Sequence, residues 1–471
     1  MRHLTQLVCA LTLATGTLTA QTPAFNLSDF KLPNLKRKVL TVSGDLNGSV
    51  YGSTLPIRER SGSNNNKMTI SYLFYKNSER VQLSSRTTVM GYFSSNLYDY
   101  PNQPLYHTIS RGGNIEQDLT NRYYFSQWRY LEMGVNLYAG AHDLSTAPMK
   151  QMVHSLQSLV PIKLGMGRIE RIEDARHAMY IVEELQKAGR ISQPVTDEDM
   201  LALSHLIAEV KNKRFFDSRH QTIYELEAVD SFLFARNYVP ERDARYFATL
   251  SDNWTFGGLP QRNCGSRYAL ATYTGYNVYT EKYSPEDLNK ENHTQQIHAG
   301  IEYTNEKPWK KKWQSTLFTG LYAGSIAYRE NNTSPLSDLY NRDHKTPEIS
   351  GGIRYSIGLY PSTRTSMHIY STLYHMYLTR SGRAYQPNKG AHMTSATAGM
   401  NLNYYISPRL RLYANAYFEY SHSQAYGLVL PYNNPFSMND FYVNHINNAY
   451  NNQLRNQFNT YYQVQLLYSI F

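Results

Sequence analysis

At 471 residues, with 42 tyrosines against 4 tryptophans and 41% hydrophobic residues, the chain is rich in amphipathic rings and poor in long apolar runs. Beyond its first twenty residues it holds no stretch of the roughly 20 apolar residues that a membrane-spanning helix needs. A formal charge of +10 raises nucleic acid as a partner, but the basic residues form no run. Anionic lipid or glycan at a membrane surface is the expected counterpart, with no nucleic acid.

Residues 1–20 begin with Arg2 and His3, pass through an apolar stretch and end in small residues around Ala20. This order predicts a Sec signal peptide cut near Ala20, and so export. Cys9 does not read as a lipidation site, because Gln6-Leu7-Val8 lacks the small residue that a lipobox places before its cysteine. Without the leader, Cys264 is the one remaining thiol, which excludes an intramolecular disulfide and a zinc–cysteine cluster. Residues 21–36 read as an N-terminal extension.

From there the chain alternates apolar and polar residues with period two in segments 38–51, 67–75, 80–93 and 123–139, predicting four strands across residues 37–142. Over residues 143–263 the period changes to about 3.6 and a helical insertion is expected. Ala175, Ala178, Met179, Val182 and Leu185 share one face of a first helix, with Glu173 and Asp174 at its start and Gly189 as its C-cap. Thr196-Asp197-Glu198-Asp199 resembles a capping box leading into a second, and residues 217–238 form a third. Residues 150–159 suggest a weaker helix, and Gly165-Met166-Gly167 a flexible connector. The charges read as solvated helix surface. His154, His177, His205 and His220 lack metal-ligand spacing on one face, so neither metal nor cofactor is expected.

Alternation resumes in segments 267–280, 295–304, 312–329, 347–360, 364–377, 396–406, 409–420 and 462–470, across residues 264–471. In 409–420 Leu410, Leu412, Ala414, Ala416 and Phe418 take turns with Arg411, Tyr413, Asn415, Tyr417 and Glu419, as a strand between lipid and a polar interior requires. The count is about twelve, and an even count suits a single-chain bacterial barrel. Short links centred on Asn77-Ser78, Lys307-Pro308, Pro361-Ser362 and Ser407-Pro408 alternate with long ones, the extremes being 94–119 and 427–449. Parity puts both ends of the insertion on the short-link side. A soluble sandwich also alternates, but its strands usually run five or six residues and these are longer.

The expected fold is therefore mainly β: a transmembrane antiparallel β-barrel of about twelve strands, with an α-helical insertion between strands 4 and 5. Its strands resemble those of Gram-negative outer-membrane β-barrels of the porin or transporter kind. Phe471 resembles the C-terminal aromatic signal that the barrel-assembly machinery reads, although it lies out of register with the apolar face of the last strand. The resemblance implies the cell outer membrane, with its lipids and lipopolysaccharide as partners, and passage of a polar solute or saccharide. The insertion would be a plug or a periplasmic domain that docks a protein partner.

Asp45, Arg86, Glu132, His298, Glu302, Arg354, Arg411 and Glu419 fall on the inferred lumen face, setting selectivity or pairing internally. Trp128, Trp313, Tyr123, Tyr124, Tyr360 and Tyr374 are candidates for the interfacial aromatic girdle. No residues arrange themselves as a catalytic centre, so no enzyme is expected. An assembly component anchoring a periplasmic bundle is the alternative. A lipid-modifying enzyme is a second one, because His392 and Thr394 stand two apart on one strand face.

Overall fold

The computed structural model of the protein describes residues 25–53, 59–99, 106–146, 148–213, 218–257, 262–284, 288–333, 342–379, 390–407, 410–423 and 455–468. The signal peptide, Cys9, the 427–449 connection and Phe471 lie outside them.

Among the described residues fourteen antiparallel strands hydrogen-bond in sequence order into one sheet. They are β1 (Leu35–Ser53), β2 (Glu59–Asn77), β3 (Val81–Asp99), β4 (Tyr106–Tyr124), β5 (Arg129–Thr146), β6 (Met149–Arg171), β7 (Asn263–Ser284), β8 (Leu288–Lys310), β9 (Trp313–Asn332), β10 (Arg342–Leu359), β11 (Thr365–Leu378), β12 (Ala391–Tyr405), β13 (Leu410–Ser423) and β14 (Arg455–Tyr468). Between β6 and β7 stand four helices: α1 (Glu173–Lys187), α2 (Asp197–Val210), α3 (Ser218–Ala235) and α4 (Ala244–Gly257). Among the described residues β1 and β14 are not paired with each other.

Against the expected twelve strands the described residues form fourteen, and the helices follow the sixth strand, not the fourth. Two strands escaped the period-two test. In β4 the pair Gly112-Gly113 and polar residues on both faces erase the alternation. In β6 the outer positions Met152, Leu156, Val160, Ile162, Leu164 and Met166 do alternate, but Pro161, Gly165 and Gly167 read as breakers. Pro161 has no N–H to give the ladder, and the β5–β6 pairing skips its position while keeping register on either side. Its ring occupies the space over Gly134, where a Cβ would come within 2.8 Å of it. Gly167 is no flexible connector: it pairs with Arg267 at φ +99, and a Cβ there would stand 2.1 Å from the Ser266 carbonyl. Segment 123–139, read as one strand, contains the β4–β5 turn, where Phe-Ser-Gln-Trp offers neither Gly nor Pro as a signal.

In the middle strands an inner face of buried side chains alternates with an outer face of exposed ones. In β7 Ala269, Ala271 and Tyr273 are buried, while Tyr268, Leu270 and Thr272 between them are exposed. Outer apolar residues remain bare from strand to strand, with Leu270 63%, Ile301 57% and Val464 71% exposed. Many inner tyrosines lie over inner glycines. Tyr322 covers Gly300 and Gly320, Tyr130 covers Gly165, and Tyr370 covers Gly399, with ring atoms 2.4 to 2.7 Å from where a Cβ would be. Aromatic rings laid over glycines pin register and fill the space that the bends leave. These tyrosines have an inner role, where composition alone assigns them to a girdle.

The helices form a small bundle around Ile181, Val182, Leu185, Leu203, Ile207, Val229, Leu233 and Leu250. Thr196 caps α2, its hydroxyl accepting from the Asp199 N–H at 3.1 Å, and Gly189 ends α1 at φ +70. The helix α4 was not expected from the sequence. No helix among the described residues is long and apolar enough to cross a membrane.

Candidate functional site

The inner wall of β4 to β9 carries a ladder of buried charge. Arg122 on β4 pairs with its cross-strand partner Glu132 on β5. Lys163 on β6 lies 3.6 Å from Glu132 and 2.8 Å from Glu302 on β8, so one ammonium bridges two carboxylates. Glu302 also accepts hydrogen bonds from the hydroxyls of Tyr273 and Tyr322, the second at 2.8 Å. Both carboxylates are buried, a placement that costs heavily unless each charge is matched.

Strand parity puts all eight charged candidates on the inner face. Glu132 and Glu302 meet through Lys163. His298 faces Glu348 at 3.3 Å, Arg354 lies 5.4 Å from the Phe318 ring centre, and Arg411 donates to Asn403. Glu419 is buried opposite Thr397, while Arg86 opposite Asp118 and Asp45 opposite Lys67 are exposed. The ion pairs Arg122–Glu132, Lys163–Glu132, Lys163–Glu302 and His298–Glu348 link strands one or two apart, along the wall. Sequence reading missed Arg122 and Lys163, which lie in the segments not recognised as strands. It also missed Glu348, which shares the parity of Arg354 and was legible on that ground.

The helical unit sits across the short-turn end of the sheet. Arg37 at the start of β1 reaches Asp174 at 2.8 Å and Glu173 at 3.3 Å, and Lys211 closes on Asp174 at 3.0 Å. At the other side the Tyr180 hydroxyl donates to the Tyr360 carbonyl at 2.6 Å, Asp252 pairs with Arg364, and Phe256 packs on Tyr405 at the end of β12. Arg262, fully buried, donates to the carbonyls of Lys310, Lys311 and Trp313 and to Gln314, riveting the return of the insertion to the β8–β9 turn. Burial and the neighbouring Arg176 lower its guanidinium to about 10, so it stays charged at neutral pH. The N-terminal segment completes the seal: Phe30, Leu32 and Leu35 pack on Ile172, Ala175 and Ala208, and Asn77 donates to the Leu32 carbonyl at 3.0 Å. Glu173 and Asp174, expected as solvated helix surface, are buried anchors at the positive end of α1.

One unit contacts both β1 and β12. In a flat sheet these strands would stand about 53 Å apart, at about 4.8 Å per spacing. The longest helix, α3, has 18 residues and spans about 27 Å. The sheet must therefore curl around the axis on which the helices sit.

Burial opposes ionisation of Asp174, but Lys211 and Arg37 outweigh it and hold the carboxyl well below the usual carboxylate range. His177 is fully buried, its Nε2–H donating to the Asn253 carbonyl at 3.1 Å, and burial followed by the Lys211 charge pushes its pKa well below the usual imidazole value. The two shifts have the same consequence for pH. The unfolded chain takes up protons at His177 below about pH 6.5 while the folded unit does not, so stability falls as pH drops, by up to about 1.4 kcal/mol per unit. The Asp174 contribution is complete above about pH 3.9 and is lost below that. Thermal unfolding followed at Trp254, the tryptophan of this unit, is expected to shift down between pH 7 and pH 5. In His177→Leu that slope should vanish, and an unchanged slope would refute the assignment.

Of the girdle candidates, Trp313 and Tyr123 are exposed on the outer face near the short turns and Trp128 is exposed in the β4–β5 turn, whereas Tyr124 and Tyr360 are buried and Tyr374 points inward. Those three are inner-wall or rim packing, not girdle. Among the described residues no three His, Cys, Asp or Glu side chains converge as a metal site would require.

No family model matches the sequence, and no curated protein matches it. Among solved structures the chain resembles outer-membrane β-barrel proteins. One is the alcaligin outer membrane receptor FauA from Bordetella pertussis, at 9% identity over 83% of this chain and 51% of that one, with a TM-score of 0.35. The translocator domain of autotransporter NalP from Neisseria meningitidis gives 8%, 85%, 94% and 0.24, in the same order. The ferric yersiniabactin uptake receptor FyuA from Yersinia pestis gives 6%, 84%, 62% and 0.29. The chain spans about half the length of FauA. At such scores these likenesses carry no weight for fold or activity, which rest on the strands themselves.

Proposed function

We propose that the protein is an exported outer-membrane β-barrel through which a polar solute passes, with the helical unit covering its short-turn mouth. One observation carries this reading: the outer face keeps large apolar side chains bare across the sheet, while the inner face holds charges. A soluble protein rarely exposes such a belt, whereas a barrel in lipid requires it. Pairing of β1 with β14 would remove the two open edges. The short-turn end, where parity places the N-terminus, faces the periplasm, and the long connections face outward toward lipopolysaccharide. An inner wall of tyrosine rings and paired charges suits a saccharide or another hydroxyl-rich solute.

The test is conductance in planar bilayers, measured on the full chain and on a form lacking the helices. Silence from both discards solute passage. A second reading, a docking platform for a periplasmic protein, is favoured by Ile223, Phe234 and Phe247, which are about half exposed on the helical unit. Crosslinking from these three positions in cells should then recover one defined partner, and recovery of none would set that reading aside.

A further inference from the structure

The outer face is apolar along most of β11 and β12, and then it is not. Its positions on β11 run Met367, Ile369, Ser371, Leu373 and then His375 and Tyr377. Those on β12 run His392 and Thr394 and then Ala396, Ala398, Met400 and Leu402. His375 and Thr394 are direct cross-strand partners, with the Thr394 Oγ1 2.8 Å from the His375 Nδ1. The other ring nitrogen, Nε2 of His375, lies 3.4 Å from Nδ1 of His392, one position along, and the His392 ring packs 4.8 Å from that of Tyr377. A neutral imidazole has one acceptor and one donor nitrogen. With the threonine hydroxyl donating to Nδ1, the proton on Nε2 is left to donate to His392. The order is hydroxyl, base, orienting acceptor, which is the constellation that activates a weak nucleophile.

Its surroundings suit a lipid. The neighbouring rung, Leu373 opposite Ala396, is apolar, so the three polar groups stand at the edge of the apolar belt, where acyl chains join their headgroups. His375 and His392 are exposed, open to a molecule arriving from the side. On β10 the residue opposite His375 is Gly351, over which the Leu321 side chain lies, and the exposed Ile349 and Ile353 flank it, so the surface beside the imidazole is apolar. On β13 the residue opposite Thr394 is His422.

The geometry points to a lipid acyl-ester hydrolase site on the outer wall, with Thr394 as nucleophile, His375 as general base and His392 as the positioning residue. The Thr394 oxygen bonds to the acyl carbonyl carbon as its proton passes to His375 Nδ1. The ester C–O bond breaks, and the leaving alcohol takes that proton. Water, losing a proton to the same nitrogen, then cleaves the threonyl ester, releasing the fatty acid and restoring the hydroxyl. The sequence pairs Thr394 with His392 by spacing, but the fold supplies a different base from the adjacent strand.

The site rests on the outer face being in contact with lipid, but not on solute passage. The full-length protein is reconstituted into vesicles carrying either phospholipid with labelled acyl chains or labelled lipopolysaccharide, and released fatty acid is measured. Release is expected from at least one, and the arm that responds identifies the lipid. Thr394→Ala should lower release by at least about 100-fold, Thr394→Ser should retain it, and mass spectrometry should find an acyl group on the Thr394 peptide. His392→Ala should slow the reaction and move its pH profile, and His392→Asn, which keeps an acceptor, should restore both. No fatty acid from either lipid with folded, vesicle-inserted protein overturns the proposal, as does undiminished release by Thr394→Ala. Failure of the protein to enter vesicles would instead strike at the barrel reading itself.

Discussion

Replacing residues 173–261 by a two-residue turn is expected to convert a protein that conducts poorly into one with a steady open pore. The cut is feasible because the Ile172 N–H donates to the Arg262 carbonyl at 2.9 Å, so the two ends of the insertion already stand side by side. Fourteen strands at about 4.8 Å spacing and about 40° tilt close into a ring about 28 Å across, backbone to backbone. Side chains fill the interior of an eight-stranded barrel, whereas sixteen strands leave an aqueous channel, so fourteen need something more than side chains to close them. A four-helix unit is too wide to thread such a ring once its wall is lined. Its contacts are accordingly with the rim: Arg37, Tyr360, Arg364 and Tyr405 all lie at strand starts, ends or short turns. Equal conductance with and without the helices would show that they do not control the mouth.

The same rim shows what was legible in the sequence. Two strands were missed, yet both lie before the helices, so the parity of the insertion survived and its side of the sheet stayed the same. What hid β4 and β6 was local chemistry that only tertiary pairing explains. Gly165 reads as part of a flexible connector until the Tyr130 ring is laid over it, and residues 150–159 read as a weak helix although they belong to the strand whose Pro161 ring lies above Gly134. The acidic start of α1 read as solvated because Arg37 and Lys211, 137 and 37 residues away, are brought to Asp174 only by the fold. His375 escaped for a like reason: its partner Thr394 is 19 residues distant, across a strand boundary. Parity identified Glu132 and Glu302, but their shared cation sat in an unread strand.

That cation should matter more than either carboxylate. Lys163→Met leaves Glu132 with Arg122 and Glu302 with two tyrosine hydroxyls, but it removes the ammonium that both carboxylates share. Breaking a buried pair on one side costs about 3–5 kcal/mol, because the orphaned charge remains buried. Glu302→Gln should cost less, since Lys163 keeps Glu132. The double variant should recover part of the loss, giving a coupling of about 1–3 kcal/mol in a cycle measured by urea unfolding in lipid vesicles. Strict additivity would mean that the bridge contributes nothing. The ladder runs along the wall, so its charges also face whatever crosses the lumen. In the helix-free protein Lys163→Met removes a positive charge and bares the Glu302 carboxylate, and the pore should become more cation-selective. Glu302→Gln should shift it toward anions. Reversal potentials in a salt gradient that move together, or not at all, would place the ladder outside the conduction path.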